Sequence, residues 1–394
     1  MDNKALVAAF TGGGTGGHIY PGLAVADSFR KKMAEAGGEG QNARPVKIIW
    51  LGSLSKMDKE IVLNSADKDG KKSADKFYGI PSGKLRRYFS FKNFIDVFKI
   101  LFGFVAAFFI LLKERPAFLF SKGGFVSVPP CAAAWLLGIK VYTHECDFTP
   151  GLATRINARF AKKILLTYEE TREFFKAGSS GKFAVTGNPI RPVFYQADAA
   201  AGLKFLGVSQ SEKKSKPLLL VTGGSLGAAQ INELVSKNLS WLCQKFIVVH
   251  QTGQKNFQPS AAAELTEEEK RFYHPYAFIY KEMPDVIAAA DIVLSRAGAN
   301  SIWEAAALQK PMLLIPLEGA GTRGDQVDNA EYFERRGAAI VLTKSAMTEN
   351  SLQSALLSLV KADTRKKYGD ACRAMLSAQR PSEKIAAILA EETL

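Results

Sequence analysis

Short apolar runs, each followed by a helical pattern, recur along the chain. Residues 5–10 form an apolar run that leads into a glycine loop at 12–17, and a helical pattern follows that loop. The same order returns at residues 218–221, where an apolar run leads into a second glycine-rich loop at 223–227 and then into a helix. Both halves of the chain are therefore predicted to open as strand, glycine loop and helix.

The remaining apolar runs predict an α/β fold. Further strands, with helices after them, are predicted at residues 47–51, 118–120, 141–144, 164–167, 246–250, 291–295 and 312–316. Short apolar strands that alternate with helices are typical of a mostly parallel sheet covered on both faces. We expect two doubly wound, Rossmann-like domains, with ligands at the carboxyl ends of the strands, facing a cleft between the domains.

A break in the pattern lies near residues 187–192, where a glycine, an asparagine and two prolines interrupt regular structure. We expect a first domain at residues 1–190, a second at 191–370, and a final segment at 371–394 whose helix packs back on the first domain. A chain of 394 residues is long for one core, which also favours two domains.

Composition narrows the class of protein. The net charge of +14 predicts a positive surface that attracts nucleic acid, anionic lipid headgroups or phosphorylated substrates. Nucleic-acid binding is disfavoured because the sequence has no zinc finger, basic helix or RNA-binding motif with interleaved aromatic residues. The four cysteines are scattered without a CxxC pair, so neither a disulfide framework nor a structural zinc site is indicated.

The most unusual composition belongs to the segment from Lys84 to Arg115. Ten of the 26 phenylalanines lie between residues 89 and 120, with lysines and arginines beside them. The longest uncharged apolar run, at 100–112, has 13 residues, fewer than the roughly 20 that a membrane-spanning helix needs. Two interpretations stay open, a helix lying in the headgroup region of an anionic leaflet and a core helix under the sheet, and its two faces could do both.

The first glycine loop fits the dinucleotide pattern G-x-G-x-x-G, which is a weak signal alone. The second predicted strand ends in Gly52-Ser53, where an NAD site would place an acidic ribose ligand, so the pattern counts against NAD. The glycines still let a phosphate or sugar approach backbone N–H groups at a helix N-terminus. His18 follows the loop directly, where an imidazole could accept a proton near neutral pH.

The second half offers a matching site. Residues 223–227 supply backbone amides, the Ser225 hydroxyl and a helix N-terminus, which suit a pyrophosphate. Residues 295–304 predict a strand end, a turn of small residues and a helix whose early turns carry the Glu304 carboxylate. A carboxylate at that place could accept hydrogen bonds from both hydroxyls of a ribose.

Together these motifs resemble one family. In chain order they occupy residues 13–18 with 21–24, 122–127, 144–145 with 150–152, 187–191, 223–228, 295–304, and 325–326 with 329–330. The set resembles glycosyltransferase family 28, the bacterial N-acetylglucosaminyltransferases of peptidoglycan synthesis. The resemblance spans residues 5 to about 340 and implies a GT-B fold, with two Rossmann-like domains around a cleft and the UDP-sugar held mostly by the C-terminal one.

The resemblance also implies site residues. His18 is the expected general base, and Glu145 is a second candidate for proton handling or for positioning the acceptor. The residues implied to contact UDP-N-acetylglucosamine are Thr15, Gly16, Gly17, Arg191, Ser225, Tyr280, Ala299, Asn300, Ser301, Ile302, Trp303, Glu304 and Gln326. Gly14 and Asp147 are implied on the acceptor side. The chain departs from the family pattern at Cys146-Asp147, at Leu226 and at Asp325.

The implied reaction is inverting transfer of N-acetylglucosamine to undecaprenyl-pyrophosphoryl-N-acetylmuramyl-pentapeptide, called lipid I, which gives lipid II with a β-1,4 link. The implied location is peripheral, on the cytoplasmic face of the cell membrane, with the Lys84–Arg115 region on the anionic surface. Two alternatives stay open. One is a related GT-B transferase with another lipid acceptor, such as diacylglycerol. The other is a UDP-N-acetylglucosamine 2-epimerase, against which the Phe-rich segment argues.

No cofactor and no obligatory metal are expected. The triplet at residues 67–69, Asp-Lys-Asp, formally matches the DxD motif of metal-dependent sugar transferases. It lies in a stretch dense in charge, where a solvated loop is the favoured interpretation. Backbone amides at a helix N-terminus could instead stabilise the charge that develops on a leaving UDP.

Overall fold

The computed structural model describes residues 5–36, 45–67, 70–84, 91–176, 181–224, 227–257, 264–319 and 322–393. The chain divides into two compact units. The first unit contains Met1–Arg191 together with Ser377–Leu394, and the second contains Pro192–Leu376. Each unit is built on one β-sheet.

The first unit has a seven-stranded sheet. Its strands are β1 (Leu6–Thr11), β2 (Val46–Ser53), β3 (Lys76–Ile80), β4 (Phe118–Ser121), β5 (Lys140–Glu145), β6 (Lys163–Leu166) and β7 (Phe183–Val185). The helices before the second unit are α1 (Gly16–Ala36), α2 (Lys56–Asn64), α3 (Phe91–Glu114), α4 (Val128–Leu136) and α5 (Leu152–Phe160). The strands pair in parallel in the order β3-β2-β1-β4-β5-β6-β7.

The second unit has a six-stranded sheet. Its strands are β8 (Leu218–Thr222), β9 (Ile247–Gln251), β10 (Tyr273–Tyr276), β11 (Ile292–Ser295), β12 (Met312–Leu314) and β13 (Ala339–Val341). Its helices are α6 (Ala199–Leu206), α7 (Gln210–Ser215), α8 (Ala229–Lys237), α9 (Leu239–Lys245), α10 (Glu267–Lys270), α11 (Met283–Ala289), α12 (Ala299–Ala307), α13 (Asp325–Arg335), α14 (Glu349–Val360) and α15 (Ala362–Ala374). These strands also pair in parallel, in the order β10-β9-β8-β11-β12-β13.

In each sheet the first strand along the chain lies inside the sheet. The second and third strands follow on one side of it, and the later strands follow in chain order on the other side, which is the doubly wound arrangement. In the first unit, Phe10 and Trp50 pack into a core with α1, whereas the neighbouring Ala9 and Leu51 pack into a core with α3, α4 and α5. Since successive strand residues point to opposite faces, helices cover both faces of that sheet. The predicted α/β class with two doubly wound parallel sheets is confirmed.

The first unit is completed by α16 (Pro381–Glu391), which packs against α1. Ile385 and Leu389 are fully buried in the core that α1 shares with the sheet, and Ser28 Oγ donates to Ser382 Oγ at 3.0 Å. Each of these apolar side chains contributes about 1.5–3 kcal/mol by leaving water. The returning segment begins at Ser377, later than the expected residue 371, because α15 belongs to the second unit.

Helix α3 packs only one of its faces. Ala107 and Leu111 are fully buried against the sheet, and a Cβ at Gly103 would lie 2.1 Å from the Pro81 carbonyl oxygen, so the helix lies close to the preceding loop. The opposite face is apolar and exposed, through Phe94, Ile95, Val97, Phe98, Leu101, Phe102, Val105, Phe109 and Leu112. The helix is therefore a core helix on one side and an uncovered apolar surface on the other.

By length and composition, α3 is also the one helix among the described residues that could cross a membrane. The qualifying stretch, Phe94–Glu114, has 21 residues, so the expectation that this segment is too short is wrong. The uncharged apolar run of the sequence analysis begins only after Lys99, whose ammonium pairs with Asp96 at 3.4 Å within the helix. The buried residues of α3, described above, tie the helix to the first unit.

The C-terminal end of α3 is fastened to the sheet by Glu114. Its carboxylate, only 7% exposed, binds Lys47 Nζ at 2.5 Å and Lys76 Nζ at 3.4 Å, and accepts a hydrogen bond from Tyr78. Burial alone would raise the pKa of Glu114, but these bonds outweigh burial and hold the pKa at about 2. The carboxylate is therefore ionised at neutral pH and holds α3 against β2 and β3.

Candidate active site

The first glycine loop, between β1 and α1, is held by the buried carboxylate of Asp58. The backbone N–H of Gly14 donates to both carboxylate oxygens, at 3.1 and 3.0 Å, and Ser53 donates from its backbone and its hydroxyl at 3.0 and 2.7 Å. A Cβ at Gly13 would lie 2.2 Å from Asp58 Oδ2, so a larger residue cannot replace this glycine. The loop is therefore fixed before any ligand arrives.

His18 lies in the first turn of α1 and packs on another glycine loop of the first unit, at residues 122–124. Its backbone N–H donates to Thr15 O at 3.1 Å. Its ring lies over Gly124, where an added Cβ would come within 2.8 Å of His18 Cδ2. The ring is half-buried, whereas the Thr15 side chain is exposed. His18 thus joins the two glycine loops of the first unit and remains within reach of solvent.

Arg191 reaches the same end of α1. Its guanidinium carbon lies 5.1 Å from the centroid of the Tyr20 ring, a cation–π contact. The structure therefore brings together the predicted residues Gly16, Gly17, His18 and Arg191 on the first unit.

Glu145, the second proton-transfer candidate, is engaged by the backbone. Its Oε1 accepts from the N–H groups of Cys146 and Asp147 at 2.9 and 3.1 Å, and its Oε2 accepts from Gly151 N at 2.9 Å. Gly151 is the N-cap of α5, and Glu145 is almost completely buried. A carboxylate that holds three backbone donors organises the 145–151 turn, and this favours a role in positioning that turn over proton transfer.

His144 ties β5 to the segment that carries Arg191. Burial lowers the pKa of His144 well below its usual value, and the nearby Lys122 ammonium lowers the pKa further. The ring is therefore neutral at pH 7, and its Nε2 lies 3.0 Å from Gly187 O, which assigns the proton to Nε2. This histidine fixes the 187–191 segment and is not available as a base.

The second unit has an open cavity of about 200 Å³ at the carboxyl ends of β8 and β11. Its lining residues are Thr222, Gly223, Gly224, Ser295, Arg296, Gly298, Ser301 and Gln326. Gly298 is the N-cap of α12, so the positive end of that helix faces the cavity. This is the place at which the sequence predicted a pyrophosphate site. Ser225 and Leu226 lie outside the described residues.

Arg296 is a cavity residue that the sequence analysis did not select as a ligand. It follows β11 directly, and burial lowers the pKa of its guanidinium from the usual value. Arginine stays protonated in proteins, so the cavity wall carries a full positive charge. The sequence signal that could have identified Arg296 was its place at the end of a predicted strand, beside a turn of small residues.

Helix α12 presents its predicted residues in different ways. Ile302 and Trp303 are buried in the core, where the Trp303 ring meets Phe333 edge-on at 5.2 Å, so only their backbone can reach a ligand. Ser301 lines the cavity. Glu304 is half-buried three positions later, on the same helix face as Ser301. Ala299 and Asn300 form the first turn.

Gln326 stands at the start of α13 and also lines the cavity. Its Oε1 accepts from Leu317 N at 3.0 Å, which orients the side-chain amide. Tyr280 does not line the cavity. Its ring is 63% exposed, its hydroxyl accepts from Gln254 Nε2 at 3.0 Å, and Phe278 packs edge-on against it at 4.5 Å.

Within the described ranges, one group of residues has ligand atoms close enough to hold a metal ion. Atoms of Glu145, Cys146 and Asp147 lie within 4.8 Å of one another. Both Glu145 oxygens already accept backbone N–H groups, however, so this cluster fits a turn better than a metal site. Lys68 and Asp69 of the DxD-like triplet lie outside the described residues. All four cysteines lie in described segments and are buried free thiols.

Comparison with known proteins gives the family. The glycosyltransferase family 28 N-terminal domain matches residues 8–166, and the family 28 C-terminal domain matches residues 218–385. The chain is 51% identical over 338 residues to the UDP-N-acetylglucosamine--N-acetylmuramyl-(pentapeptide) pyrophosphoryl-undecaprenol N-acetylglucosamine transferase of Treponema denticola. That alignment covers 84% of this chain and 83% of the relative.

Solved structures show the fold. The crystal structure of Acinetobacter baumannii MurG is 21% identical and has a TM-score of 0.67 over 98% of this chain and 99% of that one. A UDP-GlcNAc 2-epimerase from Neisseria meningitidis is 15% identical, with a TM-score of 0.61 over 98% of this chain and 99% of the epimerase. The GT-B fold is thus confirmed, but an epimerase shares it, so the fold alone does not give the family. The sequence matches do, and the chain belongs to glycosyltransferase family 28.

Proposed function

We propose that this chain transfers N-acetylglucosamine from UDP-N-acetylglucosamine to lipid I, forming lipid II on the pathway to peptidoglycan. The observation that carries the proposal is the 51% identity, over 84% of the chain, with a relative named for that reaction. The geometry supports it, because the second unit has a cavity with a cationic wall and a helix N-terminus, both suited to a diphosphate.

In the proposed reaction, a sugar hydroxyl of lipid I attacks the anomeric carbon of N-acetylglucosamine. The new glycosidic C–O bond forms as the C–O bond to the diphosphate breaks, and UDP leaves with the electron pair. Attack from the face opposite the leaving group inverts the anomeric centre. His18 takes the proton of the attacking hydroxyl, because its imidazole is the half-buried base at the glycine loops of the first unit.

The residues of the cavity stabilise the leaving diphosphate and hold the donor. The Arg296 guanidinium, the backbone N–H group of Gly223 and the N-terminus of α12 supply positive potential where negative charge develops. Glu304 accepts from the ribose hydroxyls. Gln326 binds the transferred sugar, and the backbone near Tyr280 binds uracil.

We expect transfer to need no divalent metal, because Arg296 and the helix N-terminus already supply positive charge at the diphosphate. Enzyme treated with EDTA and passed into metal-free buffer should keep most of its activity when labelled product is measured. Complete loss of activity, restored by one divalent ion only, would contradict this expectation.

We also propose that the exposed face of α3 rests on the cytoplasmic surface of the membrane, where the lipid tail of the acceptor is anchored. Phe94, Phe98 and Phe102 form one stripe on that face, and Phe94 and Phe102 are 69% and 62% exposed. Exposed apolar side chains together with a net charge of +14 suit an anionic leaflet.

Replacing Phe94, Phe98 and Phe102 together by serine should weaken binding to vesicles containing phosphatidylglycerol by at least about 100-fold, because three side chains lose their apolar contact. Vesicle sedimentation measures this. Activity on a water-soluble acceptor should be unchanged, which separates docking from misfolding. Leu357→Ser, at an exposed apolar position in α14, is the control. Unaltered vesicle binding by the triple variant would exclude α3 as the docking surface.

The reaction itself is tested with radiolabelled UDP-N-acetylglucosamine and a short-chain lipid I analogue in detergent. Label that enters the lipid fraction only when the muramyl acceptor is present supports the proposal. Binding of the UDP-sugar without transfer to this acceptor, but with transfer to diacylglycerol, would overturn the assigned acceptor.

A further inference from the structure

Gln251 is the last residue of β9 and lies between two segments proposed to bind the donor. In the sheet it is in register with Thr222 at the end of β8 on one side and with Tyr276 at the end of β10 on the other. The chain after β8 forms the glycine loop of the cavity, and the chain after β10 leads to Tyr280. Gln251 is only 2% exposed and does not line the cavity.

The side-chain amide of Gln251 joins these two segments. Its Nε2 donates to Thr222 Oγ1 and to Gly224 O, both at 3.2 Å. Its Oε1 accepts from Ile279 N at 2.9 Å. One buried amide thus binds two segments. Its nitrogen binds the loop after β8, proposed to hold the diphosphate, and its oxygen binds the segment after β10, proposed to hold uracil.

The neighbours of Gln251 fix the same two segments. His250 Nε2 lies 3.1 Å from Asn232 Oδ1 on α8, the helix that follows the glycine loop, and Asn232 Nδ2 donates to Thr252 O at 2.9 Å. On the other side, Thr252 N donates to Tyr276 O at 3.0 Å. The end of β9 is therefore held rigidly, and Gln251 is a fixed brace and not a mobile side chain.

We propose that Gln251 is a positioning residue that sets the spacing between the diphosphate loop and the uracil segment, so that both ends of a uridine diphosphate bind at once. This inference rests on the proposed function, because it takes UDP as the shared part of the donor. When two parts of one ligand bind in fixed places, the second part binds without a new loss of translational freedom. This gain in UDP affinity exists only while the two binding segments keep the right separation.

An amide is required at this position because it both donates and accepts. Methionine has nearly the same shape but leaves Ile279 N–H, at a residue 2% exposed, without its partner, and it frees Gly224 O from the brace. We expect Gln251→Met to bind UDP about 10- to 100-fold more weakly. Uridine alone and pyrophosphate alone should bind almost as they do to the unaltered protein, because each uses only one of the two segments.

Calorimetry with UDP, and ligand-detected NMR with uridine and with pyrophosphate, measure these affinities. Gln353→Met is the matched control, because Gln353 is a partly buried amide of the same unit whose Nε2 donates to Asn238 Oδ1 at 2.9 Å. UDP affinity of Gln251→Met equal to that of the control overturns the inference. Failure of the unaltered protein to bind UDP would instead overturn the proposed function.

Gln251→Glu tests the brace even if Gln251→Met folds poorly. A protonated carboxyl group can donate to Gly224 O and accept from Ile279 N as the amide does, whereas the carboxylate cannot donate. Burial raises the pKa of such a carboxyl group. The UDP affinity of Gln251→Glu, relative to that of the unaltered protein, should therefore rise as the pH is lowered from about 8 to about 5. A constant ratio over this range would show that the brace does not set donor affinity.

Discussion

Replacing His18 by alanine should lower the turnover number of sugar transfer by about 10²- to 10⁴-fold and leave UDP affinity nearly unchanged. The imidazole lies at the junction of the glycine loops in the first unit, whereas the cavity that we propose for the donor lies in the second. Steady-state kinetics with a short-chain lipid I analogue measure turnover, and calorimetry measures UDP affinity.

His274→Ala is the control for this variant. Among the four histidines, His144 and His250 are buried, and His274 is the one besides His18 that is only half-buried. Equal turnover in His18→Ala and the parent would remove His18 from the role of base.

Gly124→Ala should lower turnover by about 10²-fold or more, although Gly124 carries no functional group. The backbone there has φ 78° and ψ 158°, a region reserved for glycine, and the new methyl group would lie 2.8 Å from His18 Cδ2. The ring must then move away from its place between the loops. Steady-state kinetics detect the effect, and thermal unfolding reports the backbone strain, which costs about 1–3 kcal/mol.

Gly138→Ala separates strain from displacement of the ring. Gly138 also has a positive φ, of 70°, but nothing lies within 4 Å of an added Cβ. This variant should lose about 1 kcal/mol of stability and keep full turnover. If both glycine variants lost stability but neither lost turnover, the contact between Gly124 and His18 would have no part in catalysis.

The strands that the sequence predicted are the inner strands of each sheet. The four that it missed, β3, β7, β10 and β13, are the two outermost strands of each sheet. Inner strands of a parallel sheet are buried on both faces and read as continuous apolar runs, as in β9, where every residue is buried. An edge strand is covered less, and β3 and β10 accordingly contain Lys76, His274 and other polar residues that give no apolar run.

The site was predicted where one short segment contains a whole motif. The glycine loops, His18 and the α12 segment are local in sequence, so their chemistry is visible without a fold. Asp58 and Gln251 could not be found in this way, because their partners lie far away in the chain: Asp58 binds Gly14 across 44 positions, and Gln251 binds Thr222 across 29. Such pairings exist only once parallel strands bring their carboxyl ends together.

The return of α16 to the first unit has a consequence for how the protein is made. When residue 191 has left the ribosome, the helix that covers α1 has not been synthesised, and the whole second unit must come first. At bacterial rates of synthesis this takes roughly 10–40 seconds. During that interval the side of α1 that α16 later covers, at Ser28, is open to chaperones and to neighbouring nascent chains. Synthesis of α16, and not emergence of the first sheet, therefore sets the moment at which the first unit becomes complete.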